Sequence, residues 1–202
     1  MDREKYMDQR EAETLRTVTE ARAIIDMQVG RRGGVPGWCV VDVSMNTGLW
    51  ASEMARLNVG DFDPKRQSLK VWRHKRKKHA QETLAIGKDF AKHLREFVEW
   101  KRSVSQAIGR SDALFVGKRG PLTAIGLAQI WKSAVKRAGL PKEISIHCAR
   151  HTMAVHLLKK TGNLRMVQKQ LGHASPATTA NMYADVSFED MQDGLNGLYG
   201  GG

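Results

Sequence analysis

A short stretch near the C-terminal end of the chain concentrates the side chains that could act on a phosphate group. It carries imidazole, guanidinium and phenol groups at His147, Arg150, His151, His173 and Tyr183. Residues three positions apart on a helix lie on one face, so His147 and Arg150 would be neighbours there. A guanidinium fork pairs with two phosphate oxygens at once. This pair would therefore form a suitable cradle for a phosphate.

A metal site is the alternative for the same histidines. His147 and His151 are four residues apart, a spacing that can hold zinc. The metalloprotease form of this motif needs a glutamate directly after the first histidine, and that position is Cys148. The glycines at 117 and 120 do not have the spacing of a nucleotide-binding loop either. We therefore predict neither a metal nor a cofactor.

The order of these motifs resembles the C-terminal motif set of the tyrosine recombinase (phage integrase) family. Its elements here are His147-Cys148-Ala149-Arg150-His151-Thr152, then Leu171-Gly172-His173, then Thr178-Thr179, and Tyr183. A lone His-x-x-Arg would carry no weight, but four elements in order make the likeness specific. The resemblance implies a site-specific DNA recombinase or integrase with a mixed α/β fold, predominantly α-helical with a small antiparallel sheet.

The resemblance also implies a role for each residue of the motif set. Tyr183 would be the nucleophile that forms a 3′-phosphotyrosyl intermediate, and Arg150 would hold the scissile phosphate. His147 and His173 would donate to the phosphate oxygens or handle the tyrosine proton. We interpret His151 as a packing or supporting residue rather than a catalytic one.

One position departs from the family pattern. The segment Thr47-Gly48-Leu49-Trp50-Ala51-Ser52-Glu53 resembles the family's first motif box, in which an arginine stands where this chain has Trp50. An indole has one N–H and no charge, so it cannot replace a cationic fork. Glu53 matches the family's acidic supporting residue, although it could also be a solvated helix glutamate.

Three functions remain open because of Trp50. The first is a recombinase that cleaves and rejoins DNA, impaired by Trp50. The second is a catalytically inactive protein of the recombinase fold that binds DNA or regulates partner subunits. The third and weakest is a type IB topoisomerase-like enzyme, against which the short chain and the Leu-Gly-His block argue.

A dense basic run lies between two predicted strands, Leu69–Trp72 and Glu82–Ile86. The family places a catalytic lysine, the general acid, on such a hairpin. Counting back from the end of the second strand gives Lys77, with Lys75 and Lys78 as alternatives. The DNA-contacting residues that we predict are basic: Arg73, Lys75, Arg76, Lys77, Lys78 and Lys132.

Composition favours a nucleic-acid partner. The 202 residues include 33 Lys and Arg against 21 Asp and Glu, a formal net charge of +12. Such a balance is typical of a protein that binds a polyanion, here double-stranded DNA. No apolar run is long enough for a membrane span. Cys39 and Cys148 are isolated, which fits a reducing cytoplasm, and we expect a nucleoid-associated protein of prokaryotic or phage origin.

The elements that must position these residues follow from caps and periodicity. Asp8 and Glu11 predict a capping box for a first helix that turns Leu15, Val18, Ala21, Ile24 and Ile25 inward. The apolar segment Trp38–Met45 is a buried helix or, on periodicity alone, a strand. Further helices are predicted after Asp89, after Thr123, over Met153–Lys160 with Gly172 ending the next helix, from Ser175-Pro176, and over Phe188–Leu198.

Residues 1–199 are predicted to form one catalytic domain, followed by a flexible glycine tail at 200–202. We expect the family's N-terminal core-binding domain to be absent here, so that these residues are either an excised catalytic domain or a naturally minimal protein that binds DNA weakly and in a salt-dependent way. The resemblance implies a tetramer on two DNA sites, assembled through the C-terminal segment.

Overall fold

A computed structural model describes residues 6–75 and 78–172, with the backbone alone at positions 74, 75, 78 and 79. Its helices are α1 (Gln9–Gln28), α2 (Val35–Thr47), α3 (Ala51–Met54), α4 (Lys88–Ser103), α5 (Ala124–Arg137), α6 (Ile146–Thr161) and α7 (Leu164–Leu171). Its strands are β1 (Phe62–Asp63), β2 (Ser68–Lys75), β3 (Lys78–Ala85), β4 (Val116–Gly117) and β5 (Gly120–Pro121). This confirms the predicted class, mainly helical with small antiparallel sheets.

Helix α2 is the central element, and it packs against α1, α4, α5 and α6. The helix interpretation of 38–45 is thereby confirmed over the strand alternative. A proline lies in its first turn, and Gly48 ends it with φ 63°. These terminal signals, together with burial on nearly all sides, outweigh the strand preference of its valines.

Helix α1 begins as predicted but turns a different face inward. Asp8 accepts a hydrogen bond from the Glu11 amide, and the Glu11 carboxylate accepts one from the Asp8 amide. The predicted inward set was largely wrong, since Ile24 and Ile25 are 49% and 51% exposed. The buried positions are Ala12, Leu15, Thr19, Ala23 and Asp26.

A buried polar group explains this rotation of α1. The Asp26 carboxylate accepts a 2.7 Å hydrogen bond from the Gly34 amide at the start of α2 and pairs with Arg22. A buried carboxylate needs such partners. Asp26 therefore has to face α2, and the isoleucines beside it in sequence are turned outward.

The sheet β1–β2–β3 is antiparallel, and its hairpin register runs from Ser68↔Ala85 to Lys75↔Lys78. Both strands are longer than predicted, so part of the basic run belongs to the ladder rather than to a loop. Alternate side chains of β2 point inward: Leu69, Val71 and Arg73 are buried, whereas Trp72 is exposed.

Two predicted caps had different outcomes. Thr123 caps α5, because its hydroxyl accepts a hydrogen bond from the Gly126 amide. Asp89 does not cap α4, which begins at Lys88 after Gly87 and carries Asp89 in its first turn. An acidic residue there still favours the helix through its dipole. In the part of the chain that the structure describes, no helix is long and apolar enough to cross a membrane.

Candidate active site

Arg150 lies at the centre of the site and joins the ends of two other helices. It is carried by the first turns of α6 and is 4% exposed. Its Nη1 donates to the Gly48 carbonyl at 2.6 Å, and its Nη2 donates to the Leu171 carbonyl at 2.7 Å. Burial lowers the pKa of Arg150 to about 10, so the guanidinium remains charged at neutral pH.

Trp50 covers this guanidinium. It directly precedes α3, and its ring centroid lies 4.9 Å from Cζ of Arg150. It also meets the ring of His147 in an edge-to-face arrangement, with 5.1 Å between the ring centroids. The predicted neighbours 147 and 150 are therefore brought together beside position 50. There a neutral aromatic ring makes a cation–π contact in place of a second cation.

Glu53 is buried and binds the backbone at Trp50. It is 7% exposed, and its Oε2 accepts a 2.9 Å hydrogen bond from the Trp50 amide. The alternative of a solvated helix glutamate is thereby excluded. Its negative charge raises the pKa of both Arg150 and Arg73 against the lowering effect of their burial. Glu53 thus serves two buried cations.

Arg73 is the site residue whose burial our interpretation of the sequence missed. It is 3% exposed, its Nη2 donates to the Gln170 carbonyl at 2.5 Å, and its Nη1 donates to the Leu171 carbonyl. Its Nε lies 3.1 Å from Glu82 Oε2. The prediction that Arg73 contacts DNA disagrees with this burial. Strand alternation could have revealed it, because Arg73 has the same parity as the buried Leu69 and Val71.

The remaining predicted site residues are placed only in part. His147 and Lys132 are exposed, and His151 is partly buried. The backbones of Lys75 and Lys78 pair at the end of the hairpin. Several predictions lie outside the described residues: Arg76, Lys77, His173, Tyr183, and the elements predicted after 172. Within the described ranges, no three His, Cys, Asp or Glu residues are grouped to hold a metal ion.

Comparison with known proteins agrees with the motif set. The sequence model of the phage integrase family matches residues 5–190. Tyrosine recombinase XerD of Oceanobacillus iheyensis is 32% identical over 177 residues, which cover 86% of this chain and 58% of that protein. Tyrosine recombinase XerC of Bacillus subtilis is 30% identical over 192 residues, which cover 94% of this chain and 59% of that protein. The chain thus spans about three fifths of the length of these relatives.

Solved structures have the same fold. The XerA recombinase superposes with a TM-score of 0.74 at 22% identity, over 96% of this chain and 65% of that one. The XerH site-specific recombinase bound to difH substrate gives a TM-score of 0.69 at 20% identity, over 95% and 53%. These likenesses confirm the predicted catalytic-domain fold of tyrosine recombinases. By its sequence match over most of its length, the chain belongs to the phage integrase family.

Proposed function

We propose that residues 1–199 are the DNA breaking and rejoining domain of a site-specific tyrosine recombinase. The observation that carries this proposal is the grouping of Arg150 and His147 on one end of α6, beside buried Glu53 and position 50. The family's motif order assigns phosphate chemistry to these positions. No metal or cofactor takes part in the proposed reaction.

In this reaction the Tyr183 oxygen attacks the phosphorus of a DNA phosphodiester. A bond forms between this oxygen and the 3′-phosphate, and the bond from phosphorus to the 5′ oxygen breaks. His147 or His173 takes the phenol proton, and Arg150 stabilises the charge on the non-bridging oxygens. Rejoining runs the same steps backwards, so the phosphotyrosyl bond conserves the energy of the original linkage.

The leaving 5′ oxygen needs a proton, and the hairpin supplies the donor in this proposal. Lys77 is the first candidate, and Lys75 and Lys78 are the alternatives. The hairpin register supports a role for this run, because it places 75 and 78 side by side at its tip. Single Lys→Ala variants, compared on the same nicked duplex, would identify the lysine whose loss slows cleavage most.

Trp50 is expected to slow this reaction. Removing one preorganised donor to a developing charge costs about 3–4 kcal/mol, or roughly 10²–10³ in rate. A second candidate function is supported by the same contact, because Arg150 is 4% exposed under the indole. If the indole blocks access of the phosphate to Arg150, the chain binds DNA without cutting it.

Covalent trapping decides between these functions. A nicked duplex that releases its 5′ fragment is incubated with the chain, Trp50→Arg and Tyr183→Phe, and a protein–DNA adduct is sought on a denaturing gel. A Tyr183-dependent adduct from the unaltered chain supports the enzyme. An adduct from Trp50→Arg alone supports the DNA-binding function. If neither the unaltered chain nor Trp50→Arg forms an adduct although both bind the duplex, the proposed cleavage function is wrong.

Double-stranded DNA is the proposed partner, and a tetramer on two DNA sites is the proposed assembly. The XerH structure contains its difH substrate, and a Tn1549 transposon integrase structure contains transposon right-end DNA. A groove of about 1060 Å³ between α1, β3, α6 and α7 could accept a helix of another copy. Apolar and basic side chains line it, among them Arg16, Met45, Ile86, Met153, Leu157 and Met166. Sedimentation with DNA, with and without residues 184–202, tests this assembly. The proposed compartment is the cytoplasm, at the nucleoid.

A further inference from the structure

We propose that Arg73 is a positioning residue, which fixes the end of α7 against Arg150 and so sets where the segment beginning at His173 starts. The proposal rests on the proposed function, because it assigns Arg73 a part in cleavage by Tyr183. Arg73 acts through the backbone of α7 and does not touch the substrate.

Two guanidiniums converge on one carbonyl at the end of α7. The carbonyl of Leu171 accepts from Nη1 of Arg73 and from Nη2 of Arg150. The last carbonyls of a helix have no partners within the helix, and the negative end of its dipole attracts cations. Nη2 of Arg73 also donates a hydrogen bond to the Gln170 carbonyl. The end of α7 is therefore held by side chains that come from β2 and α6.

Arg73 also contacts Gly172, directly after α7. This residue has φ 67°, and a Cβ added there would lie within 3.0 Å of the Arg73 guanidinium. The guanidinium therefore packs directly on the backbone that precedes His173. Because Arg73 is 3% exposed, this contact occurs inside the protein rather than on its surface.

Arg73 is itself paired within the hairpin. Its Nε lies 3.1 Å from the Glu82 carboxylate on β3, an ion-pair distance without hydrogen-bond geometry. The tip of the same hairpin carries the candidate general acid. Arg73 thus connects three parts of the proposed site: the hairpin, the phosphate-binding Arg150 and the start of the C-terminal segment.

The cost of this arrangement also points to a positioning role. Two buried cations share one carbonyl, and Arg73 lowers the pKa of Arg150. Buried charges are expensive, and an apolar residue of similar volume would often serve stability equally well. A planar fork reaches two carbonyls and a carboxylate together, whereas a lysine ammonium is a single point charge.

The test compares Arg73→Lys and Arg73→Met in the full chain. Lys70→Met is the matched control, because Lys70 is an exposed cation on the same strand. If the unaltered chain forms no adduct, all three are made in the Trp50→Arg background. The measurements are DNA affinity against salt concentration, the single-turnover rate of adduct formation at saturating DNA, and urea unfolding.

We expect Arg73→Met to slow adduct formation at least tenfold while its DNA affinity stays within twofold of the parent. Arg73→Lys should fold normally and be slowed less, and Lys70→Met should cleave at the parent rate. A duplex with sulfur in place of the leaving 5′ oxygen needs no general acid. If Arg73→Met remains slow on this substrate, the result supports positioning of the C-terminal segment. If this substrate restores Arg73→Met to the parent rate, the proposal is overturned, because the defect then lies in the general acid on the hairpin.

Three further outcomes would overturn the proposal. An unchanged rate in folded Arg73→Lys and Arg73→Met is one. A salt dependence of DNA binding reduced by about one unit of slope is the second, because it makes Arg73 a phosphate contact. The third is amide hydrogen exchange at 168–172 that is no faster in Arg73→Lys than in the parent, because loss of the clamp should speed this exchange. This third readout needs no cleavage, so it decides the clamp on α7 even if the proposed function fails.

Discussion

Replacing Gly48 by alanine should destabilise the protein more than the same change at Gly162. Both glycines end a helix in the left-handed region, with φ 63° after α2 and φ 62° after α6. Their surroundings differ. A Cβ at Gly48 would lie closer than 3.0 Å to Met153 Cε and to Leu171 Cδ2, whereas one at Gly162 would meet nothing within 4 Å.

The magnitude follows from two separate costs. A residue with a Cβ in the left-handed region costs about 1–2 kcal/mol, and this cost applies to both glycines. Overpacking of a filled interior adds a further cost that only Gly48 carries. Its two close neighbours are the ends of flexible side chains, so the lower end of that cost applies, about 1 kcal/mol. We therefore expect a free energy of unfolding lower by about 2–3 kcal/mol for Gly48→Ala and by about 1–2 kcal/mol for Gly162→Ala.

Urea unfolding followed by circular dichroism measures both variants against the parent. The Gly48 carbonyl also accepts from Arg150 at 2.6 Å, so movement of this turn should displace the guanidinium and weaken adduct formation. Equal loss of stability in the two variants would refute the packing argument, because it would leave only the backbone cost. A cleavage rate unchanged in Gly48→Ala would show that Arg150 does not depend on this turn.

Three further predictions concern residues outside the site. The hydrogen bond to Asp42 raises the pKa of His93. The contribution of protonated His93 to folding stability is therefore complete below the unfolded-state pKa of about 6.5, and it is lost as pH rises through the higher folded-state pKa. His93→Gln should flatten the fall in urea midpoint as pH rises above about 6.5, and an unchanged pH dependence would contradict this. Asp8→Ala removes the cap of α1 and should lower the free energy of unfolding by about 1 kcal/mol in the same assay; no loss would mean that another group replaces the cap. The buried ammonium of Lys101 donates to the carbonyls of 113 and 114 at 3.0 Å, so Lys101→Met should cost about 1–3 kcal/mol. A neutral or stabilising effect of Lys101→Met would show that these carbonyls need no internal donor.

Features that depend on a few neighbouring residues could be predicted from the amino-acid sequence. The capping box at Asp8, the cap at Thr123 and the helix-ending glycine at 172 were predicted because their hydrogen bonds and φ angles are local. The hairpin was predictable because two short strands flank the basic run. The family membership was predictable because it rests on motif order. The placing of His147 and Arg150 together on α6 was predicted from their spacing of three residues.

Tertiary structure alone decided which way side chains face when two local patterns compete. Ile24 and Ile25 are exposed because Asp26 must reach the Gly34 amide, and Arg73 is buried although it belongs to a basic run. The contact of Trp50 with Arg150 likewise depends on where α6 meets the end of α2. Burial is set by which elements pack together, at sequence separations that no local pattern spans. A buried charge is stable only where distant partners meet it.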